Sequence, residues 1–366
     1  MKEKLYSNVI GLMSGTSADG IDISVVNTNG VTLSSTNKNL IFPYTQSIKK
    51  KLRFIMNNPE FIWKKKSFIK NLEICITNEH INAVNFIKTK YKITPSLIGF
   101  HGQTIFHDMN KKISIQLGDG KLLSKKTNCK VVFNFRSQDI QNGGEGAPLA
   151  PVYHKYILKK LFGETASCMI NIGGVSNLSY INNDLISGFD TGPGCGLMDE
   201  YMQQHFSKGF DNNGTIASYG ISDKKIIKKF MKDPFFFKSS PKSIDKFEFN
   251  HIFEDKGFLK LNACDGMATL CNLTAESINV ALQQLDNLPK TVLVSGGGRH
   301  NNFLLTLIKN KTNLNILKVD DYNFDGDFIE SELMAYLAAR CLNKMPSTYP
   351  STTGTKFPTI CGELAK

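Results

Sequence analysis

The period of the apolar positions changes several times along this chain, and each change marks an element. Asn8–Ile10 and Ile21–Val26 are short apolar runs flanking a stretch of Gly, Ser and Thr, which reads as strand, small-residue turn, strand. From Asn8 to Ser35 this predicts a hairpin or meander. Ser47–Lys90 switches to a helical period, with Ile69, Leu72, Ile76, His80, Ile81, Val84 and Ile87 on one stripe. Leu97–Phe100 reads as a short buried strand ending at His101-Gly102-Gln103-Thr104, and Ile113–Gln116 and Lys130–Phe135 read as further strands. Residues 143–148 form a glycine-rich loop, and Leu149–Leu161 a helix with Pro151 near its start.

The pattern then restarts. Cys168–Ile181 repeats the strand, small turn, strand arrangement of Asn8–Val26. Leu185–Phe189 reads as a strand delivering Asp190 and the turn 191–196, followed by a helix over Leu197–Phe206. Ala263–Leu285 is a long amphipathic helix, Thr291–Val294 a strand opening onto 295–301, and Ile329–Leu342 the last helix. Pro346, Pro350 and Pro358 predict an irregular tail. Two such units in succession predict two related α/β domains.

Length and composition agree. At 366 residues the chain exceeds one ordinary core, and 41% hydrophobic with 21% charged residues describes a globular protein. No apolar run reaches the length of a membrane span, and the first residues lack the apolar core of a signal peptide. The eight cysteines form no C-x-x-C pair, and several lie in apolar runs, as expected of reduced thiols in a cytoplasmic protein without a zinc site. The net charge of +12 comes largely from scattered lysine pairs and triplets. That suits anionic small ligands such as nucleotides. With no helix-turn-helix, zinc finger or interleaved aromatics, neither nucleic acid nor membrane is an expected partner.

Candidate chemistry gathers at four small-residue turns at strand ends: 14–20, 173–177, 191–196 and 295–298. Ligands of α/β folds bind beyond the carboxyl ends of strands, and glycine turns let backbone N–H groups approach phosphate. The first turn lacks the lysine of a P-loop. Gly192 and Gly194 precede a helix whose N-terminus favours anions, and the triple glycine 296–298 leaves bare backbone for a flat base. Asp190, at a strand end beside a turn, is placed for general base work or for capping that turn. Gln103 offers donor and acceptor to a sugar, and Arg136 offers a fork to a carboxylate or a surface ion pair. Glu330 and Glu332 open the last helix.

With those residues in place, the chain resembles the anhydro-N-acetylmuramic acid kinases of the sugar kinase–Hsp70–actin superfamily. The matching segments are 13–22, 101–104, 116–120, 135–136, 143–154, 171–178, 189–194, 295–301 and 352–354, in family order from end to end. Ala18 stands where the family usually has Leu, Cys195 where it has Asn, and 320–332 matches only loosely. The resemblance implies two actin-like (RNase H-like) domains with an interdomain ATP cleft, the first spanning 1–135 and about 348–366, the second 136–347. It implies ATP and Mg²⁺, with Met13, Ser14, Gly15, Thr16, Ser17, Ala18, Asp19, Gly20, Gly173, Gly174, Gly192 and Gly194 around the phosphates and Gly296, Gly297 and Gly298 near the adenine. It further implies Asp190 as catalytic base, Gln103, Arg136 and Glu330 on the amino-sugar substrate, cytoplasmic location and a homodimer. The implied reaction opens the anhydro ring with water and phosphorylates O6.

Overall fold

The computed structural model describes residues 3–15, 17–108, 111–244 and 248–365. The chain forms two compact units, one of 1–156 with 328–366, the other of 157–327.

In the first unit, β1 (Tyr6–Ser14), β2 (Gly20–Thr28) and β3 (Leu33–Pro43) form an antiparallel meander. β4 (Leu97–Asp108) joins the other side of β1 in parallel, β6 (Val131–Phe133) follows it in parallel, and β5 (Ile113–Leu117) pairs with β4. The order β3-β2-β1-β4-β6 is closed at its edge by Glu363–Leu364. A parallel return needs a long crossover, and the helical stripe supplies it. Helices Gln46–Asn57 and Lys66–Tyr91 bury Leu52, Ile55, Leu72, Ile76, Val84 and Ile87 against Ile10, Leu12, Ile21 and Ile23.

The second unit repeats this topology. β7 (Ser167–Ile172), β8 (Val175–Asn182) and β9 (Leu185–Pro193) form the meander. β10 (Thr291–Ser295) pairs with β7 in parallel, and β11 (Asn315–Lys318) with β10. The order β9-β8-β7-β10-β11 matches β3-β2-β1-β4-β6 strand for strand, so the restart in the sequence is a repeated RNase H-like fold. Helix Ala263–Gln283, capped by the Asn262 side chain on Asp265 N–H, packs a long buried face into this core.

Several expectations change. β4 runs past Phe100 to Asp108, so His101–Thr104 lies inside a strand. β9 likewise continues through Asp190 to Pro193, and the predicted turn at 191–196 starts as strand. The tail contains a short helix, Pro350–Thr353, and the edge pair at 363–364. Residues 136–156 and helix Ile329–Leu342 belong to the first unit, whereas the sequence boundary placed both in the second. For the helix the cause is backbone proximity. A Cβ on Gly11 would stand 1.8 Å from Ser331 O, and one on Gly99 2.0 Å from Met334 O. Glycines inside β1 and β4 let the helix seat directly on the sheet, where Ser331 Oγ meets Ser24 Oγ at 2.6 Å.

Candidate active site

In the first unit the 14–20 turn leaves β1. Thr16, one of its expected phosphate contacts, lies outside the described residues. The Ser14 hydroxyl is engaged inside the core, 2.8 Å from Tyr44 Oη and 3.3 Å from His80 Nε2. His80 Nδ1 donates to Ile76 O, and burial lowers the ring to about 4, so its Nε2 is a neutral acceptor. Ala18 closes the turn through its N–H to Gly15 O, with φ of +56°, a left-handed conformation strained for a side chain of Leu size. Asp19 faces Arg53 and Lys49 at 3.4 and 3.8 Å. Met13 is buried, and Gly20 abuts the Phe42 carbonyl. Gly15 keeps open space over its Cα, and Ser17 is exposed beside it.

Gln103 lies next to Ser14 across the β1–β4 ladder. Its Nε2 donates to Gly15 O at 3.0 Å and Thr104 O at 3.1 Å, while its buried Oε1 has no partner among the described residues. An orphaned buried acceptor costs about 1–3 kcal/mol, which a ligand donor or a water would relieve.

Arg136 is held by backbone and ring. Its Nη1 donates to Gly146 O at 2.7 Å and its Nε to His101 Nε2 at 3.1 Å. The His101 Nδ1–H goes to Gly102 O, so Nε2 must accept. Burial first, then the Arg136 charge, push the ring down to about 3, which keeps that acceptor unprotonated. Buried Asp139 secures the loop beyond, accepting from Gly146 N–H at 2.8 Å and Thr353 Oγ1 at 2.6 Å. Glu332 is buried and accepts from Tyr153 Oη at 2.6 Å. Glu330 stays accessible, but enough water is excluded around it to raise its carboxyl, with the Arg136 charge pulling the other way. His101 and Gln103 thus stand on one strand, Arg136 meets His101, and the Arg136 charge reaches Glu330 on the last helix.

In the second unit two of the expected phosphate turns lock onto each other. Cys195 N–H donates to Gly173 O at 2.7 Å, and Gly194 and Gly196 N–H donate to Gly174 O at 3.0 and 3.1 Å. Those donors are therefore spent inside the fold, at the entry to helix Gly196–Phe206. Gly194 is required by this contact, since its Cβ would fall 2.2 Å from Gly173 O. Gly192, at φ of +141°, faces Phe236 and Ser277, and Gly298 faces Ile172 and Cys195. Gly296, at φ of +76°, backs onto Asn171. Among the described residues a Cβ on Gly297 would meet nothing within 4 Å, and one on Gly173 nothing closer than 3.5 Å. Those two join Gly15 as the expected glycines with room for a ligand. At Cys195 the thiol is pushed up to about 12 by burial and then by Asp199.

Arg299 explains the acidic stretch that follows β11. It is buried, with Nε 2.7 Å from Asp320 Oδ2 and Nη1 2.8 Å from Asp327 Oδ1 and 3.1 Å from Gly296 O. The pairs fasten the glycine turn to the loop beyond.

Asp190 sits in β9 opposite Asn177. Its N–H donates to Lys242 O, and its Oδ2 accepts from Ile244 N–H, both at 2.9 Å. Beside it on β8, Ser176 Oγ and Asn177 Oδ1 are buried without partners among the described residues. The sequence singled out the segment 171–178 for its glycines and passed over these two. No group of three His, Cys, Asp or Glu residues converges as a metal cage among the described residues. None of the described helices is long and apolar enough to cross a membrane.

Comparison with known proteins places this arrangement. The model of the family described as anhydro-N-acetylmuramic acid kinase matches residues 7–366. A protein of that name from Pelagibacter ubique (strain HTCC1062) is 38% identical, covering 100% of this chain and 99% of its own length. Its namesake from Rhodopseudomonas palustris (strain ATCC BAA-98 / CGA009) is 34% identical, covering 99% and 100%. A solved ROK family glucokinase from Streptomyces griseus superposes with a TM-score of 0.42 and 13% identity over 92% of this chain and 99% of that one, a likeness too loose to bear on function. A duplicated α/β fold with glycine-rich strand ends, matched over its whole length to kinases, is a sugar kinase. The chain belongs to the anhydro-N-acetylmuramic acid kinase family.

Proposed function

We propose that this chain is an ATP-dependent kinase that hydrolyses the 1,6-anhydro bond of 1,6-anhydro-N-acetylmuramic acid and phosphorylates O6, yielding N-acetylmuramic acid 6-phosphate and ADP during cell-wall recycling. The full-length family match carries this reading. The seat of Asp190 supports its role in it. Asp190 takes a proton from water as the water oxygen bonds to the anomeric carbon. The C1–O6 bond breaks, and O6 bonds to the γ-phosphorus as ADP leaves. A positioned base contributes about 10²–10⁴-fold. Gln103, with its orphaned acceptor, and Arg136, fixed by His101, bind the sugar, and the arginine suits the lactyl carboxylate. Glu330 stands beside them. Gly15, Gly173 and Gly297 leave space for the nucleotide.

No trio of acidic, His or Cys side chains converges among the described residues, so Mg²⁺ would be held chiefly by the nucleotide phosphates rather than by a dedicated protein cage. There it would supply charge neutralisation for the transferred phosphoryl group.

The test is turnover of Mg·ATP with the anhydro sugar, read by ADP release and product mass. A product heavier by one phosphate and one water supports the coupled reaction. No turnover, while other amino sugars gain phosphate alone, would replace it with an ordinary sugar kinase.

A further inference from the structure

Asp190 is held by a stretch with no ladder of its own. Residues 242–244 are irregular, yet they grip Asp190 twice, through Lys242 O on its amide and Ile244 N–H on its carboxylate. Something must fix that stretch, and the Lys242 side chain does so. It is 3% exposed, and its Nζ donates to Phe235 O at 3.2 Å, Phe236 O at 3.1 Å and Gln284 Oε1 at 3.2 Å. All three ammonium donors are used. The rings of Phe189 and Phe235 lie 5.5 and 5.0 Å from the nitrogen, and Phe189 precedes Asp190 on β9. Gln284 Nε2 closes the cluster on Phe236 O at 2.6 Å.

A buried ammonium is a costly way to tie two carbonyls and an amide together, because neutral donors would do the same without desolvating a charge. Its three hydrogen-bond acceptors are all uncharged. The acidic group that favours its charge is Asp190 on β9, and Lys238 on the preceding loop opposes it. The geometry points to Lys242 as a positioning residue for Asp190: its ammonium pins the 242–244 stretch whose main chain grips the Asp190 amide and orients its carboxylate. This inference rests on the reading of Asp190 as base.

Burial brings Lys242 down to about 8, with Asp190 raising it and Lys238 lowering it. The ammonium is therefore intact at neutral pH and is lost as pH rises through that value. Turnover should fall over the same range.

The experiment compares kcat and KM of the full-chain wild type, Lys242→Met and Lys242→Arg from neutral to alkaline pH, with amide exchange followed at Asp190 and Ile244. Lys242→Met should lower kcat about tenfold or more at neutral pH, with KM for ATP and sugar within about threefold. Its remaining activity should lack the alkaline fall. Lys242→Arg should recover part of kcat and lack the same fall, because a guanidinium stays charged. Exchange at the two amides should quicken in Lys242→Met. Wild-type kcat in Lys242→Met, an unchanged alkaline limb, or KM rising in step with the loss of kcat would overturn the assignment. Asp190→Asn is measured alongside. Were it fully active, the base reading would fall, while unchanged amide exchange in Lys242→Met would separately remove the grip.

Discussion

The two units share one strand order and use their glycines in opposite ways. In the first, Gly11 and Gly99 lie inside strands, where absent side chains let helix Ile329–Leu342 rest on the sheet. In the second, Gly173, Gly174, Gly194 and Gly196 lie in two turns that hydrogen-bond to each other, and the strand interior carries Asp190. The same topology is thus tightened at its face in one copy and at the turns of its strand ends in the other. A glycine count cannot distinguish the two; only what stands over each Cα does.

The sharpest test of that division is Asp190→Asn. It keeps the strand and both main-chain contacts, so it should fold and bind ATP while kcat falls about 10²–10⁴-fold. Near-wild-type kcat would return Asp190 to a purely structural role and erase the functional half of the contrast. Gly99→Ala should show the structural half. Its Cβ meets the Met334 carbonyl and carbon at 2.0 and 2.5 Å, which are backbone atoms that cannot swing away. A loss of roughly 3 kcal/mol in denaturant unfolding is expected, and an unchanged midpoint would show that the helix sits further from the sheet.

Arg299→Met tests what fastens the 295–298 turn. The Asp327 carboxyl is held below the usual range by its bond to Arg299, against desolvation, and at Asp320 the same arginine outweighs desolvation. Depressed carboxylates stabilise the fold above their unfolded value of about 3.9 and lose that contribution as pH falls through the lower folded value. The wild type should therefore exceed Arg299→Met by on the order of 1 kcal/mol at neutral pH, and the gap should narrow in acid. A gap independent of pH would assign Arg299 to packing alone. The smallest effect separates neighbours in one turn. Gly297→Ala, with nothing near its Cα, should leave stability within about 0.5 kcal/mol and raise KM for ATP. Gly296→Ala, at φ of +76° and 2.5 Å from Asn171 Oδ1, should destabilise the fold itself. Equal melting curves for the two would show that Gly296 is no more tightly packed than Gly297.

Much of this was legible beforehand. The stripe Leu72, Ile76, His80, Val84, Ile87 is buried in the first core as its period requires, because a helix in a small domain must hide one face. Helix Ile329–Leu342 appears with the bounds its pattern predicts. The restart at Cys168 is a second copy of the same strand order. Local signals reached their limit where partners come from far along the chain. Ser14 looked like a phosphate donor, but Tyr44 and His80 take its hydroxyl. His101 and Arg136, 35 residues apart, meet only because β4 and β6 are adjacent in the sheet.

The sequence by itself determined the repeated α/β plan, the family and the identity of Asp190, Gln103 and Arg136 as chemical groups, since periodicity and residue type are local. Tertiary structure decided which glycines are pressed against protein and which are left open, which unit owns the last helix, and why a buried lysine and a buried arginine stand where they do. Those are questions of what approaches a given atom across sheets and loops, and chain order carries no distance for them.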